Sequence, residues 1–261
     1  RIFAASCYCP ITNLENSDTA YEWQYGHLDR QHGHRWEQDG DHWKVTPVVN
    51  RIPEERMALS ALLRRAFPDY INRTAPHGLT MKEDGTGSFA EHLKHLILDS
   101  AKIAVQSGTE IPSGSGVDLS AGTVDFPKYC TYITRMKMPC AFDDPELHTY
   151  ENDLFGSDTV DKRHFTQFGL EHSRCGGECA PDEPVFLMNA MNFIRHKGCA
   201  QHWRIRHGAA DRDTSFAIPV LLAEGLRDAG KTVDFRLPWG VPHSGDYDLP
   251  ELFAWIDRIC R

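Results

Sequence analysis

The C-terminal part of the chain predicts an α/β fold, because two strand patterns alternate there with two helix patterns. Residues 202–206 form a short mixed run that suits a strand entering a turn, and residues 232–237 alternate apolar and polar side chains. Residues 217–226 carry leucine and isoleucine at helical spacing, and residues 249–259 form a final amphipathic segment. Short loops join these four elements, so the two strands are expected to be parallel and linked by a right-handed crossover.

Each predicted strand is followed by a loop with a titratable side chain. Asp211 lies in GAADRD after the first strand, and His243 lies in VPHSGD after the second. Ligands of open α/β sheets bind beyond the carboxyl ends of the strands, and α/β-hydrolases present the acid and the histidine of a Ser–Asp–His triad in this order. The acid would orient the imidazole, and the histidine would take a proton from a serine. The alternative is a surface histidine and an aspartate that forms a turn.

Composition excludes several classes of function. The 261 residues carry a net charge of −9 with a pI near 5.8, which argues against a nucleic-acid or membrane-surface partner. No apolar run approaches the roughly 18–20 residues of a membrane span, and the N-terminus does not resemble a signal peptide. The acidic charge and the eight cysteines favour an exported protein, although the compartment stays open.

Two clusters of potential metal ligands have simpler interpretations. The sequence CGGEC at 175–179 lacks a second ligand pair, so a local disulfide or free thiols are favoured over zinc. The segment 26–43 is rich in histidine but has no cysteine partners and no helical pair of histidines, so we expect a solvated loop.

The rest of the chain predicts a helical insertion between two parts of a sheet domain. A strand is expected within residues 2–8, and residues 12–25 suit a loop and a short helix whose aromatic side chains either pack in the core or line a cleft. Long helices are predicted over 53–70 and 86–105, and a further helix over 184–196. We therefore predict sheet-domain segments at 1–45 and 183–261 and an insertion at 46–182.

Three blocks of the sequence resemble one family. The start, AASCYCPITNLENSDTAYEW, together with residues 130–156 and 200–258, is similar to the bacterial tannases and tannase-like esterases of the α/β-hydrolase superfamily. The order and spacing of the blocks fit that family over essentially the whole chain. The resemblance implies that Asp211 is the triad acid, that His243 is the triad base, and that the helical insertion is a lid over the cleft.

The resemblance also implies a site for a phenolic ring. The segments FPKYCTYITRMKMPC and ELHTYENDLFG are similar to those that grip a galloyl group in the family. Lys137, Glu151 and Asp213 match the positions that bind the ring hydroxyls. Gallate has three adjacent hydroxyls, for which carboxylate acceptors and an ammonium donor are suitable partners. Alternatively, Lys137 and Glu151 form a surface ion pair, and Asp213 caps the helix that follows it.

The nucleophile is missing from this sequence. The G-x-S-x-G motif of α/β-hydrolases does not occur, since GTGS at 85–88 and SGSG at 113–116 have the wrong spacing. The resemblance implies a serine before Arg1, and the absence of an initial methionine suggests the downstream part of a longer polypeptide. We expect either a second chain of the same precursor that supplies the serine, or a product that is inactive alone.

The sequence thus predicts a serine carboxylester hydrolase acting on galloyl esters such as tannins, with an incomplete α/β-hydrolase fold and a mainly helical lid. No metal and no organic cofactor is expected. A feruloyl or other hydroxycinnamoyl esterase is the nearest alternative. A protein that binds polyphenols or carbohydrates without catalysis is the alternative from another class.

Overall fold

The computed structural model describes residues 2–40 and 42–261. The strands are β1 Ala4–Tyr8, β2 Arg30–Asp39, β3 His42–Arg51, β4 Val117–Asp118, β5 Thr123–Val124, β6 His202–Arg206 and β7 Thr232–Arg236. The α-helices are α1 Ser17–Tyr25, α2 Glu54–Thr74, α3 Ser88–Gln106, α4 Phe126–Ile133, α5 Tyr150–Leu154, α6 Gln167–Glu171, α7 Asp182–Leu187, α8 Ala217–Asp228 and α9 Leu249–Ile259.

A parallel sheet joins the two ends of the chain. Strand β6 lies between β1 and β7 and is parallel to both, with Ala4 paired to His202 and His202 paired to Thr232. The carboxyl ends of the three strands therefore meet at one edge. The predicted strand–helix–strand–helix order and the parallel pairing are confirmed, with α9 at its predicted bounds and β7 ending one residue early.

The central strand carries buried charge on one face. Arg204 and Arg206 are buried, and both form ion pairs with Asp248, the residue before α9. The hydroxyl of Tyr8 at the end of β1 also hydrogen-bonds to Asp248. A buried guanidinium needs a carboxylate partner, so these contacts fix the segment that leads from β7 into α9 against the sheet.

The histidine-rich segment is a β-hairpin. Strands β2 and β3 pair in antiparallel register from Arg30 opposite Arg51 to Asp39 opposite His42, so the loop predicted over 26–43 is wrong. Most of the hairpin is exposed on both faces, and this exposure explains why no apolar side of the strands was evident in the sequence. The main-chain N–H of His32 donates to the carbonyl oxygen of Arg135 at 2.7 Å, which anchors the base of the hairpin.

The helix predicted over 184–196 is interrupted. Helix α7 ends at Leu187, and a short 3-10 helix follows at Ala190–Phe193. Asn189 lies at the break, where its side-chain oxygen accepts from the N–H of Met191 at 3.0 Å and its amide donates to Glu15 at 2.7 Å. Asparagine commonly makes such local bonds with the backbone, and they compete with a continuous helix.

One hydrophobic core connects the helices to the sheet. It includes Tyr21 of α1, Phe67 of α2, Leu93 of α3, Tyr129 of α4 and Leu221 of α8. Tyr21, Trp23 and Tyr25 of α1 are buried in or beside this core, as the packing interpretation of these aromatics predicts. Residue 45 lies within β3, and the division into segments 1–45, 46–182 and 183–261 stays a prediction.

All eight cysteines lie in the described part of the chain and are free thiols. The CGGEC segment therefore holds free thiols rather than a local disulfide. None of the described helices is long and apolar enough to cross a lipid bilayer.

Candidate active site

Asp211 and His243 contact each other on neighbouring loops at the carboxyl edge of the sheet. Asp211 follows β6 and is fully buried, whereas the His243 side chain, beyond β7, is 30% exposed. The Nδ1 atom of His243 lies 2.9 Å from Oδ2 of Asp211, which is a hydrogen-bond distance. Oδ1 of Asp211 accepts from the main-chain N–H groups of Asp213 at 2.8 Å and Thr214 at 3.2 Å. The carboxylate is therefore held by its own loop and directed at the imidazole.

The two loops are held together by main-chain contacts. The N–H of Ala209 donates to the carbonyl of Pro238, and that of Ala210 to the carbonyl of Val241, both at 2.9 Å. A Cβ atom on Gly208 would lie 2.2 Å from the oxygen of Val241, so only glycine allows this close approach. From the protein interior, the hydroxyl of the buried Tyr25 donates to the carbonyl of Asp211 at 2.8 Å. The acid–histidine geometry thus rests on backbone packing.

The environment favours the charged carboxylate and a basic imidazole. Burial opposes ionisation of Asp211, but His207, His243 and the N–H of Asp213 stabilise its carboxylate and bring its pKa to about 2. The hydrogen bond to Asp211 raises the pKa of His243 above its usual value, although partial burial opposes the rise. The pair is therefore suited to hold a proton transiently on the imidazole.

Lys137 and Asp213 flank this pair. The Lys137 Nζ lies 4.2 Å from the centre of the Phe142 ring, over its face, so the ammonium is held close to the interior. Burial raises the pKa of Asp213, and the positive charge of Lys137 acts against that rise. Helix α8 begins at Ala217 after Phe216, so Asp213 does not cap it. Both residues are half-buried.

Tyr21 links the segment of Lys137 to the loop of Asp213. Its hydroxyl donates to the carbonyl of Arg212 at 2.8 Å and accepts from the N–H of Lys137 at 3.0 Å. The N–H of Met136 lies 3.3 Å from the same oxygen. One buried phenol therefore sets the spacing between two segments that are far apart in the sequence.

A buried ion pair supports the Lys137 segment from the protein interior. Arg135 and Glu22 are both fully buried and form a bidentate pair, one bond of which spans 2.7 Å. Arg135 Nε also donates to the carbonyl of Lys137 at 2.6 Å, and Ser60 donates to Glu22 at 2.5 Å. The charges are thus satisfied within the fold, as buried charges must be.

Glu151 has no hydrogen bond or ion pair to the other predicted site residues in the described part of the chain. It is on α5, where Thr149 caps the N–H of Asn152 at 3.1 Å and the Asn152 amide donates to Asp143 at 2.9 Å. In the described part of the chain, Glu151 forms no ion pair or hydrogen bond with Lys137 or Asp213, so the predicted surface pair with Lys137 is also absent. The structure thus groups Lys137, Asp211, Asp213 and His243, whereas the described contacts do not link Glu151 to them.

Three groups of side chains in the described residues have the spacing of metal ligands. Ligand atoms of Asp211, Asp213 and His243 lie within 4.8 Å of one another, as do those of Cys9, His207 and Asp211. The third group is Asp144, Glu146 and His148, where Arg56 already forms ion pairs with both carboxylates. Both groups at the site share Asp211, so a cation in either group would engage the carboxylate that orients His243.

Three buried side chains at the site are missing from the sequence-based prediction. The sequence predicts Tyr21 and Tyr25 as aromatics that pack in the core or line a cleft, and it predicts His207 as part of a turn. The hydroxyl groups of the two tyrosines hold the main chain of the Asp211 loop, and the His207 ring lies beside the Asp211 carboxylate. An ionisable residue directly after a strand and four positions before the predicted acid was the available signal for His207.

The fold and these contacts define an α/β protein with an acid–histidine pair at the carboxyl edge of a parallel sheet. Comparison with solved structures gives the family. A tannase from Lactobacillus plantarum superposes with a TM-score of 0.94 at 40% sequence identity, over 100% of this chain and 59% of its own. A tannase from Fusobacterium nucleatum superposes with a TM-score of 0.91 at 35% identity, over 100% of this chain and 59% of its own.

A tannin acyl hydrolase in complex with ethyl gallate superposes with a TM-score of 0.91 at 41% identity, over 100% of this chain and 57% of its own. No family model and no curated protein sequence matches. The chain belongs to a tannase-like family. It spans less than two thirds of the length of the tannases that it matches.

Proposed function

We propose that this chain carries the acid and the base of a serine carboxylester hydrolase that cleaves galloyl esters. The observation that carries the proposal is the 2.9 Å hydrogen bond between His243 and the buried carboxylate of Asp211. This pair lies at the carboxyl edge of a parallel sheet, which is the place where α/β proteins bind ligands. The likeness to tannases supports galloyl esters as the substrate class.

In this mechanism, His243 is the general base and Asp211 orients it. A serine outside these 261 residues attacks the ester carbonyl while His243 takes the hydroxyl proton. Asp211 stabilises the imidazolium, which then protonates the departing alkoxide as the C–O bond breaks. Water repeats the sequence on the acyl-enzyme, and gallate and the free serine are released. We propose that the serine belongs to a preceding segment or chain of the same precursor.

Lys137, Asp213 and Glu151 are the proposed partners of the ring hydroxyls. A half-buried ammonium beside a half-buried carboxylate offers one donor and one acceptor to adjacent phenol groups. The binding of ethyl gallate by a related tannin acyl hydrolase supports this assignment. A site of this kind discriminates against esters without hydroxyls, because its own polar groups would be left unpaired.

The test is hydrolysis of methyl gallate by the full-length protein and by its His243→Gln variant. Loss of the general base should lower kcat by about 10³-fold or more. His95→Gln, at an exposed histidine of α3, is the matched control and should retain activity. Undiminished turnover by His243→Gln would refute the assignment.

Two further measurements address the alternatives. Methyl ferulate is assayed in parallel, and a higher kcat/KM for ferulate than for gallate would favour the hydroxycinnamoyl esterase. Intact mass spectrometry of the active preparation tests the two-chain arrangement, since a nicked precursor gives a second species that contains the serine motif. Binding of gallate without turnover of any ester would favour the non-catalytic alternative.

A further inference from the structure

His207 is a buried histidine for which the proposed reaction has no role. It directly follows β6, and its main-chain N–H donates to the carbonyl of Arg236 at 3.1 Å, so its position is fixed by the sheet. The residue is fully buried, and its ring meets the edge of Phe216 at a centroid distance of 5.7 Å. A buried imidazole needs a polar partner, because an unsatisfied one destabilises the fold.

The nearest charged atom to that imidazole is the oxygen that His243 uses. Nε2 of His207 lies 3.4 Å from Oδ2 of Asp211, and Nδ1 of His243 lies 2.9 Å from the same oxygen. Among the described residues, neither ring nitrogen of His207 has a hydrogen-bond partner. Two imidazoles thus approach one carboxylate oxygen, one from the interior and one from the half-exposed cleft.

The surroundings favour the neutral form of His207. Burial lowers its pKa, and the nearby charge of Asp211 only partly offsets that effect. The other ionisable groups around this carboxylate are Cys9, a buried thiol whose pKa burial raises to about 11, and Asp213 and Lys137 toward the cleft. A neutral imidazole with its proton on Nε2 would present an N–H group to Asp211 and its unprotonated Nδ1 to the apolar interior.

We propose that His207 is a positioning residue that holds Oδ2 of Asp211 from the buried side and shares its negative charge with His243. The 3.4 Å separation is longer than a standard hydrogen bond, and a movement of a few tenths of an ångström by either side chain brings it into that range. Because the N–H of His207 draws on the same lone-pair density, it moderates the attraction between Asp211 and protonated His243. The role depends on the proposed Asp211–His243 pair.

The experiment measures the pKa of His243 by NMR in the full-length protein labelled with ¹⁵N-histidine. His207→Phe removes the donor and keeps a flat ring beside Phe216, so the pKa of His243 should rise by about half to one pH unit and kcat should fall about 3- to 10-fold. His207→Gln restores an N–H donor and should recover at least half of the pKa change. An unaltered pKa in folded His207→Phe, or no recovery in His207→Gln, overturns the proposal.

Two controls separate positioning from general packing. In an Asp211→Asn background, His207→Phe should no longer shift the pKa of His243, because the shared carboxylate is gone; an equal shift there overturns the proposal. His164→Phe is a matched substitution at another fully buried histidine, whose Nδ1 lies 2.7 Å from Asp143. It should lower stability without changing the pKa of His243.

The wild-type protein provides a test that does not depend on the folding of a variant. The ¹⁵N chemical shifts of His207 should report a neutral ring with the proton on Nε2 at and above the usual histidine pKa of about 6.5. A charged ring, or a proton on Nδ1, overturns the proposal. These spectra also distinguish it from the proposed function, since they report on His207 and His243 whether or not any ester is hydrolysed.

Discussion

The hydroxyl of Tyr21 donates a hydrogen bond to the carbonyl oxygen of Arg212 at 2.8 Å. The Tyr21 phenol oxygen also accepts from the N–H of Lys137 at 3.0 Å, so this side chain bridges the two segments of the proposed ring site. Catalytic and binding groups on separate segments need such fixed links, because a displacement of about 1 Å can reduce the rate about 100-fold. The predictions below begin with this link.

Tyr21→Phe should weaken substrate binding more than it weakens turnover. The variant leaves the N–H of Lys137 and the carbonyl of Arg212 without their partner, at a cost of about 1–3 kcal/mol in the free energy of unfolding. KM for methyl gallate should rise several-fold, whereas kcat should change little. Tyr70→Phe is the control, because the Tyr70 hydroxyl accepts from the side chain of Asn13 at 2.6 Å and, among the described residues, has no hydrogen bond to the Lys137 or Arg212 segment. An equal rise in KM for both variants would contradict the prediction.

Glu22→Gln should destabilise the protein strongly, because it leaves the Arg135 guanidinium buried without a counter-charge. Breaking a buried pair from one side costs about 3–5 kcal/mol in the free energy of unfolding, to be measured by urea denaturation. The double variant Glu22→Gln, Arg135→Met should recover part of this loss. The exposed pair of Lys102 and Asp99 is the control, and Lys102→Met should change stability by less than about 0.5 kcal/mol.

Asp211→Asn should lower kcat by about 10³- to 10⁴-fold, since the imidazole loses its orienting charge. The pH dependence of the remaining activity is the more specific measurement. His243 must be neutral to act as a base, and its hydrogen bond to Asp211 raises its pKa, so the wild-type rate should rise through a midpoint above pH 6.5. In the variant this midpoint should move to lower pH. A midpoint that stays in place would mean that Asp211 does not set the basicity of His243.

The ionised Asp211 should stabilise the fold, and this contribution should disappear in acid. Its pKa falls from 3.8 to about 2 on folding, so the stabilisation is present above about pH 4 and is lost as the pH falls toward 2. The amount is about 2.5 kcal/mol. The stability difference between wild type and Asp211→Asn should shrink accordingly in denaturation experiments across this range.

Asp213→Asn should change stability with the opposite pH dependence to Asp211→Asn, although both residues lie in the same loop. Burial raises the pKa of Asp213 in the folded state. The contribution of Asp213 to the free energy of unfolding therefore decreases as the pH rises above the pKa that this carboxyl has in the unfolded chain. Relative to this variant, the wild type should therefore gain stability as the pH is lowered. If the stability difference from wild type changed with pH in the same direction for both variants, one of the two pKa shifts would have the wrong direction.

Lys137→Met should impair hydrolysis of methyl gallate selectively. If the ammonium binds a ring hydroxyl, kcat/KM for methyl gallate should fall about 10- to 100-fold, and that for methyl benzoate, which has no ring hydroxyl, should change little. Lys128→Met is the control, since this lysine is exposed on α4. An equal loss on both esters would indicate a structural role for Lys137.

The sequence predicted the C-terminal elements well because local patterns define them. In β6, α8, β7 and α9, hydrophobic spacing, short loops and Gly230 agree with one another, and the structure reproduces their order and pairing. The proximity of Asp211 and His243 follows from this order, because parallel neighbours bring their following loops to the same edge.

The parts that were missed depend on burial that the sequence does not reveal. Hairpin β2–β3 is exposed on both faces, so it lacks the one-sided apolar pattern of most strands. Conversely, Arg204, Arg206 and His207 are polar yet fully buried, against the usual preference of these residue types. The Tyr21 hydroxyl and the hydrogen bond from Arg212 to Thr134 link the Lys137 segment to the Asp213 loop, and no spacing in the sequence indicates these contacts.

The shared core limits how a ligand can reach the acid–histidine pair. Phe67 and Leu93 of the long helices pack in one cluster with Leu221, so a rigid swing of α2 and α3 away from the sheet would expose this cluster to water. Each large side chain would contribute about 1.5–3 kcal/mol to that barrier. Admission of substrate should therefore be a loop-scale event, in which the segments around Lys137 and His243 move on nanosecond-to-microsecond timescales while the helices stay in place.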